Sequence, residues 1–207
     1  MTQDRDPISR STPERPPATP EPQAEEQLKF IRDVMARSGT FTAVPGWGAV
    51  AMGVCALIAA YIANTTTTRE AWLITWMVVA ATAALLGTVA LIMKSRKAQA
   101  PLLSGPGRKF LVNFLPPLFV GAAMTIALWH ASEPRLLPGT WMLMYGTSVV
   151  AGGAYSVRII PIMGMLFLGL GAAALFLPFT WGDPLMAATF GGLHIAFGLI
   201  IVKNHGG

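Results

Sequence analysis

The sequence predicts an all-α fold: a polytopic membrane protein of six transmembrane helices in three hairpins, preceded by a short amphipathic cytoplasmic helix. Three observations predict it. The first is a shortage of charge. Of 207 residues 53% are hydrophobic and 12% charged, where a soluble domain carries about 25% charged residues. The shortage is concentrated. Residues 1–41 hold six Lys/Arg and seven Asp/Glu, and the rest holds nine Lys/Arg against Glu70, Glu133 and Asp183. A body this poor in charge cannot coat a soluble core with polar groups, so its solvent is lipid.

The second observation is a series of six apolar runs, at 41–63, 71–93, 110–129, 137–155, 159–178 and 183–202. Each is near the ~20 residues that a helix needs to cross ~30 Å of hydrocarbon. Only helices and closed barrels satisfy their backbone in lipid, and continuous apolar runs of this length exclude barrel strands. Together they make a transmembrane domain over 41–203.

The third is that two kinds of residue agree on orientation. Alternating connections put Lys94, Arg96, Lys97, Arg108, Lys109, Arg158 and Lys203 on one side, with Lys29, Arg32 and Arg37. The other side receives Arg69 and Arg135 against three acids. The positive-inside bias then places both termini in the cytoplasm. Independently, Trp72, Trp76, Trp129, Trp141 and Trp181 fall near the outer boundary and Trp47 near the inner one, as tryptophan's preference for interfaces requires.

Taken in order, residues 1–22 are a proline-rich tail that cannot propagate a helix or bury apolar area, and they read as disordered. No apolar core of a cleavable signal peptide stands there, so the first span is the first insertion signal. Residues 24–38 repeat Leu28, Ile31 and Met35 at helical spacing, widened by Phe30 and Val34. Glu25 and Glu26 suit its start, Arg37 its end, and Gly39 its stop. A helix of this kind just before a span lies in the headgroup region. It also has the form of a docking helix for a cytoplasmic partner.

The spans have local logic of their own. Asp183-Pro184 reads as a cap followed by proline in the first turn, and Leu137-Pro138-Gly139 is a similar entry. Pro45 and Pro161 fall in first turns, where a missing donor costs little. Pro116-Pro117 sits about two turns into the third span and should kink it. A shift of 116 residues aligns Pro45, Gly48, Gly53 and Ala56 with Pro161, Gly164, Gly169 and Ala172, the form of a parallel internal repeat.

One ionisable side chain stands well inside a span. An intramembrane ionisable group is by default a functional candidate. His194 shares a stripe with Ala187, Gly191 and Gly198, and small residues on a stripe mark close packing. The imidazole should therefore point into the bundle. It is either a proton relay or ligand contact, or a neutral histidine hydrogen-bonded to a neighbouring helix. Haem would need a second inward histidine, and His130 and His205 are both misplaced for that. The fourth span carries Trp141, Tyr145, Ser148, Gly152 and Tyr155 on one face. With His194 and Asn113, Tyr145 and Ser148 form the candidate ligand site; the alternative is that the stripe glues helices together.

The segment 104–109, Ser-Gly-Pro-Gly-Arg-Lys, fails as a phosphate loop because its lysine lacks the Gly-Lys-Ser/Thr setting and no strand precedes it. With Lys94, Arg96 and Lys97, Arg108 and Lys109 more naturally meet anionic headgroups. Asn64-Thr-Thr66 is a glycosylation acceptor sequence on the predicted outer side. Cys55 is the sole cysteine, so no intrachain disulfide forms. No metal-ligand spacing, catalytic triad or nucleophile elbow is visible, so no metal, cofactor or enzyme activity is expected.

The stretches Phe41-Thr-Ala-Val-Pro-Gly-Trp-Gly48, Pro101-Leu-Leu-Ser-Gly-Pro-Gly-Arg-Lys-Phe110 and Trp181-Gly-Asp-Pro-Leu-Met-Ala-Ala-Thr-Phe-Gly-Gly-Leu-His194 resemble a group of bacterial six-helix inner-membrane proteins with no assigned activity. The resemblance covers roughly residues 28–204. It implies a multi-pass protein of the bacterial inner membrane and transfers no functional residue.

The sequence therefore leads to a non-enzymatic structural, regulatory or partner-binding membrane component. The alternative is a small carrier or ligand-binding protein with an intramembrane site around His194. The expected partners are the bilayer with its anionic cytoplasmic headgroups and a cytoplasmic protein met through residues 1–38. Self-association is also open, and no nucleic acid is expected.

Overall fold

The structure, a computed structural model, describes residues 22–38, 41–97, 99, 102–103 and 105–205. Apart from Pro22, the expected tail lies outside these residues, as do Gly39 and Ser104. The chain divides into two compact units, Met1–Arg37 and Ser38–Gly207.

The first unit contributes helix α1, Pro22–Ser38. It starts two residues earlier than its apolar periodicity suggests, because a proline in the first helical turn gives up no hydrogen bond. Leu28, Phe30, Ile31 and Val34 are all exposed on it.

The second unit is all-helical among the described residues, save one isolated bridge between Phe41 and Ser156. Its helices are α2 (Gly46–Thr65), α3 (Arg69–Lys97), α4 (Gly105–His130), α5 (Leu137–Gly153) and α6 (Ile159–Phe176). A final helical stretch, Phe179–Asn204, runs through a 3-10 turn, α7 (Gly182–Met186), a π-helical segment (Ala187–Leu193) and α8 (His194–His205). Among the described residues five helices are long and apolar enough to cross a membrane: Gly46–Thr65, Arg69–Lys97, Gly105–His130, Ile159–Phe176 and Phe179–Asn204. The helix α5, of 17 residues, is the shortest of the long helices and is preceded directly by a 3-10 turn, Pro134–Leu136.

Two boundaries differ from the sequence reading for physical reasons. Residues 41–45 are not helical: the Phe41 amide donates to the Tyr155 carbonyl at 2.7 Å, and the Ser156 hydroxyl donates to the Phe41 carbonyl at 2.6 Å. Pro45 is therefore the residue before α2 rather than part of its first turn. Residues 105–109 are not a loop but the first turn of α4, entered through Gly105 at φ 52°, a backbone setting that glycine adopts without strain.

Hydroxyl side chains show how the helices suit an apolar surround. Thr82 and Thr147 are exposed, yet each donates to its own helix, to Val78 and Leu143 carbonyls at 2.8 Å. Thr75, Thr125 and Thr140 do the same one turn back. Such back-bonding hides a hydroxyl where no water is present to satisfy it.

The helices pack in two groups of three. In one, α2 lies between α3 and the Phe179–Asn204 stretch; in the other, α5 lies between α4 and α6. Glycines set the closest approaches inside each group. A Cβ on Gly46 would stand 2.7 Å from the Gly198 carbonyl, and one on Gly53 2.7 Å from that of Gly191. In the second group, a Cβ on Gly139 would stand 3.0 Å from the Gly171 carbonyl, and one on Gly146 3.0 Å from that of Gly164. Both central helices present the same spacing, Pro45-Gly46 with Gly53 and Pro138-Gly139 with Gly146. Small residues let backbones approach, which is how helices gain packing energy where lipid offers no hydrophobic drive. The 116-residue alignment is matched at Gly48 and Gly164, which are both in tight contact, but not at Gly53 and Gly169, of which Gly169 has nothing within 4 Å.

Candidate functional site

Tyr145 of α5 and His194 of α8 meet, with the phenol oxygen 2.6 Å from Nε2. His194 is 4% exposed and Tyr145 half-buried. The pair is walled by aromatic rings. Phe167 lies 4.9 Å from the Tyr145 ring and 5.6 Å from the imidazole, and Phe190 lies 5.3 Å from Tyr145. Phe114 meets Tyr145 edge-on at 6.2 Å. Whichever partner donates, the other imidazole nitrogen, Nδ1, is buried and makes no well-aligned hydrogen bond, with the backbone of Thr189 and Phe190 near the ring. A neutral imidazole has two nitrogens to satisfy, and here the second has only its own helix to turn to.

The π-helical segment turns His194 away from the face of Gly191. The sequence puts Gly191, His194 and Gly198 on one stripe, but the structure separates them. Gly191 and Gly198 face α2, while His194 faces α5 and α6. In a regular helix, residues three apart are offset by only about 60°. A π turn carries an extra residue and opens that angle. Thr189, fully buried, holds the segment by donating to the Leu185 carbonyl at 2.8 Å.

Of the other candidate ligand residues, Ser148 is fully buried, and its hydroxyl donates to the Met144 carbonyl of its own helix at 3.0 Å. The Asn113 amide likewise donates within its helix, to the Lys109 carbonyl at 2.8 Å. The geometry thus gathers His194 and Tyr145 and leaves Ser148 and Asn113 with local partners. Among the described residues no group of three His, Cys, Asp or Glu side chains could hold a metal ion.

The basic residues fall at two helix ends. Lys94, Arg96 and Lys97 occupy the last turn of α3, where cations favour the helix dipole. Arg108 and Lys109 lie in the first turns of α4, where they oppose it. Lys109 Nζ also sits 5.7 Å from the Tyr155 ring centroid.

A second polar cluster escaped the sequence reading. The Asp183 carboxylate is not a helix cap; its Oδ1 accepts from the indole of Trp72 at 2.8 Å and that of Trp76 at 3.0 Å. Both tryptophans are buried. Trp72 stacks on Trp141 at 5.6 Å, and the Trp141 indole donates to Thr125 at 2.8 Å. The spacing Trp72/Trp76, one helical turn, was the available signal. It sets two donors on one face, but nothing in the sequence names Asp183 as their acceptor.

Between α2 and α3 runs an apolar groove of about 410 Å3, lined by Cys55, Ile58, Ile62, Ile74, Val78 and Thr82 among others. Comparisons with protein-family models, with curated proteins and with solved structures find no match.

Proposed function

We propose that the chain is a non-enzymatic integral membrane protein with six transmembrane helices, which acts as a structural, regulatory or partner-binding component of a bacterial inner membrane. In this reading α5 is the sixth span. With its 3-10 lead-in, Pro134–Gly153 makes one helical stretch of about 30 Å, from rises of ~1.5 and ~2.0 Å per residue. Both termini lie in the cytoplasm, and so do the basic ends of α3 and α4. Arg108 and Lys109 oppose the α4 dipole, which supports an anionic headgroup as their counter-charge.

The observation that carries the partner-binding reading is α1. Phe30 is 69% exposed, and Leu28, Ile31 and Val34 are between 47% and 53%, a broad apolar face for the headgroup region or a cytoplasmic protein. A second reading, a small carrier or ligand-binding protein with its site at Tyr145 and His194, is favoured by the buried pairing of these two polar groups, in which Nδ1 makes no well-aligned hydrogen bond.

Native mass spectrometry of the gently solubilised, C-terminally tagged protein separates them. The partner-binding reading expects a homo-oligomer or a second polypeptide that is lost when residues 1–38 are deleted. A reproducible non-lipid small mass, one per chain and lost in His194→Ala, would overturn it in favour of the carrier.

A further inference from the structure

The two helix groups are joined differently inside than between. Inside the group of α2, α3 and Phe179–Asn204, glycine brings backbones together at Gly46/Gly198 and Gly53/Gly191, and Gly48 meets Ala90. Inside the group of α4, α5 and α6, Gly139/Gly171 and Gly146/Gly164 do the same, and Gly152 meets Phe114. Between the groups, glycine makes one close approach among the described residues, Gly182 to the Pro138 ring. The remaining joint is made of side chains. At one end Trp72 stacks on Trp141. At the other, Phe41 meets Phe110 at 5.4 Å and Ser156 through its bridge. At middle depth the joint is Phe167 against Phe190 and the Tyr145–His194 hydrogen bond.

We propose that the membrane unit is built as two rigid three-helix bodies that shift against each other, with the Tyr145–His194 hydrogen bond as the latch of the closed arrangement. The proposal rests on the six-span reading and goes beyond it. Interdigitated backbones are bistable or locked, because any sliding meets hard contacts at once. Aromatic side chains across a joint can instead change rotamer and slide. Two further features gather at the joint. His194 Nδ1 makes no well-aligned hydrogen bond, so the closed arrangement does not hold every polar group at its best. The π segment next to His194 holds one more residue per turn than a regular helix, so converting it to regular helix would change the register and rotate His194 away from Tyr145.

The test is pulsed electron-electron distance measurement on spin-labelled protein in lipid nanodiscs, in a Cys55→Ala background. Thr67→Cys with Thr180→Cys reports within one body. Thr67→Cys with Ala131→Cys reports across the joint, and all three positions are exposed. The expected result is one narrow distance for the first pair and a broad or double distribution for the second. Adding Tyr145→Phe should change the ratio of the two populations about three- to fivefold, the effect of losing one buried hydrogen bond. Equal narrow distributions for both pairs would overturn the two-body proposal even if Tyr145→Phe does not fold. A split distribution indifferent to Tyr145→Phe would overturn the latch. Neither result bears on whether six helices cross the bilayer, which labelling from the two sides of the membrane reads separately.

Discussion

The helices α3 and α5 are opposites. The α3 helix is 29 residues long, yet only Trp72, Trp76 and Ser95 are buried in it. The α5 helix has 17 residues, and ten of them are buried, including Gly139, Gly146, Ser148 and Gly152. In a soluble protein a long apolar stretch such as the middle of α3 goes inside. Here α3 turns Ile74, Val78, Leu85, Val89 and Met93 outward, and the glycine- and hydroxyl-rich α5 takes the centre. Lipid is as apolar as leucine, so apolar surface has nothing to gain by hiding. Close backbone approach and satisfied polar groups decide which helix is central.

The largest effect should come from crowding α5. Gly146→Leu would drive a side chain into the Gly164 carbonyl and the Leu168 amide, each already 3.0 Å from a single added Cβ. The expected cost is about 3 kcal/mol or more, read as loss of the folded band in a thermal or SDS unfolding series. Next is a charge on the outer face of α3. Leu85→Arg at mid-helix, where Leu85 is 65% exposed, should cost about 3 kcal/mol of insertion and deplete the protein from the membrane fraction. A soluble surface would tolerate the same change, so normal abundance would break the comparison.

The polar anchor of α3 at Asp183 ranks third. Asp183→Ala leaves the buried indoles of Trp72 and Trp76 without their acceptor and should cost about 1–3 kcal/mol, whereas Asp183→Asn keeps an oxygen for them and recovers most of it. Intrinsic tryptophan fluorescence during unfolding checks both. Tyr145→Phe should be milder, about 0.5–1.5 kcal/mol, seen as a small drop in unfolding midpoint. Smallest is Gly87→Ala in α3. Its Cβ would meet only the flexible Met52 side chain, at 2.9 Å. The gain in helix propensity of about 1 kcal/mol should offset that contact and leave stability unchanged or slightly higher in the same unfolding series.

Much of this arrangement was legible in the sequence, and the reasons are physical. Apolar runs of span length must become helices in lipid, so Leu85 and Val89 announce α3 without help. That His194 is buried follows from the cost of leaving an imidazole in hydrocarbon. Its partner Tyr145 was among the polar residues of one helix face, but that face also held Ser148, and Asn113 was proposed beside it. Nothing in the spacing says that these two would satisfy themselves on their own helices. The π segment was hidden because it depends on how Thr189 and Gly191 pack and not on any residue's propensity. Asp183 was misread because a carboxylate beside proline at a helix start has a local explanation, and its true partners are more than a hundred residues away. The paired glycine spacings of α2 and α5 were visible but meant nothing until each had a facing helix.

The account depends most on α5 crossing the membrane despite its length. The direct measurement is labelling of single cysteines at its two ends with a membrane-impermeant maleimide, in intact and in permeabilised cells, in a Cys55→Ala background. Ala131→Cys precedes α5 and Arg158→Cys follows it, and both positions are exposed. A crossing α5 predicts that the cysteine at 131 reacts in intact cells and that the one at 158 reacts only after permeabilisation. Reaction of both positions from the same side would mean that α5 does not cross, and would contradict the six-span membrane protein proposed above.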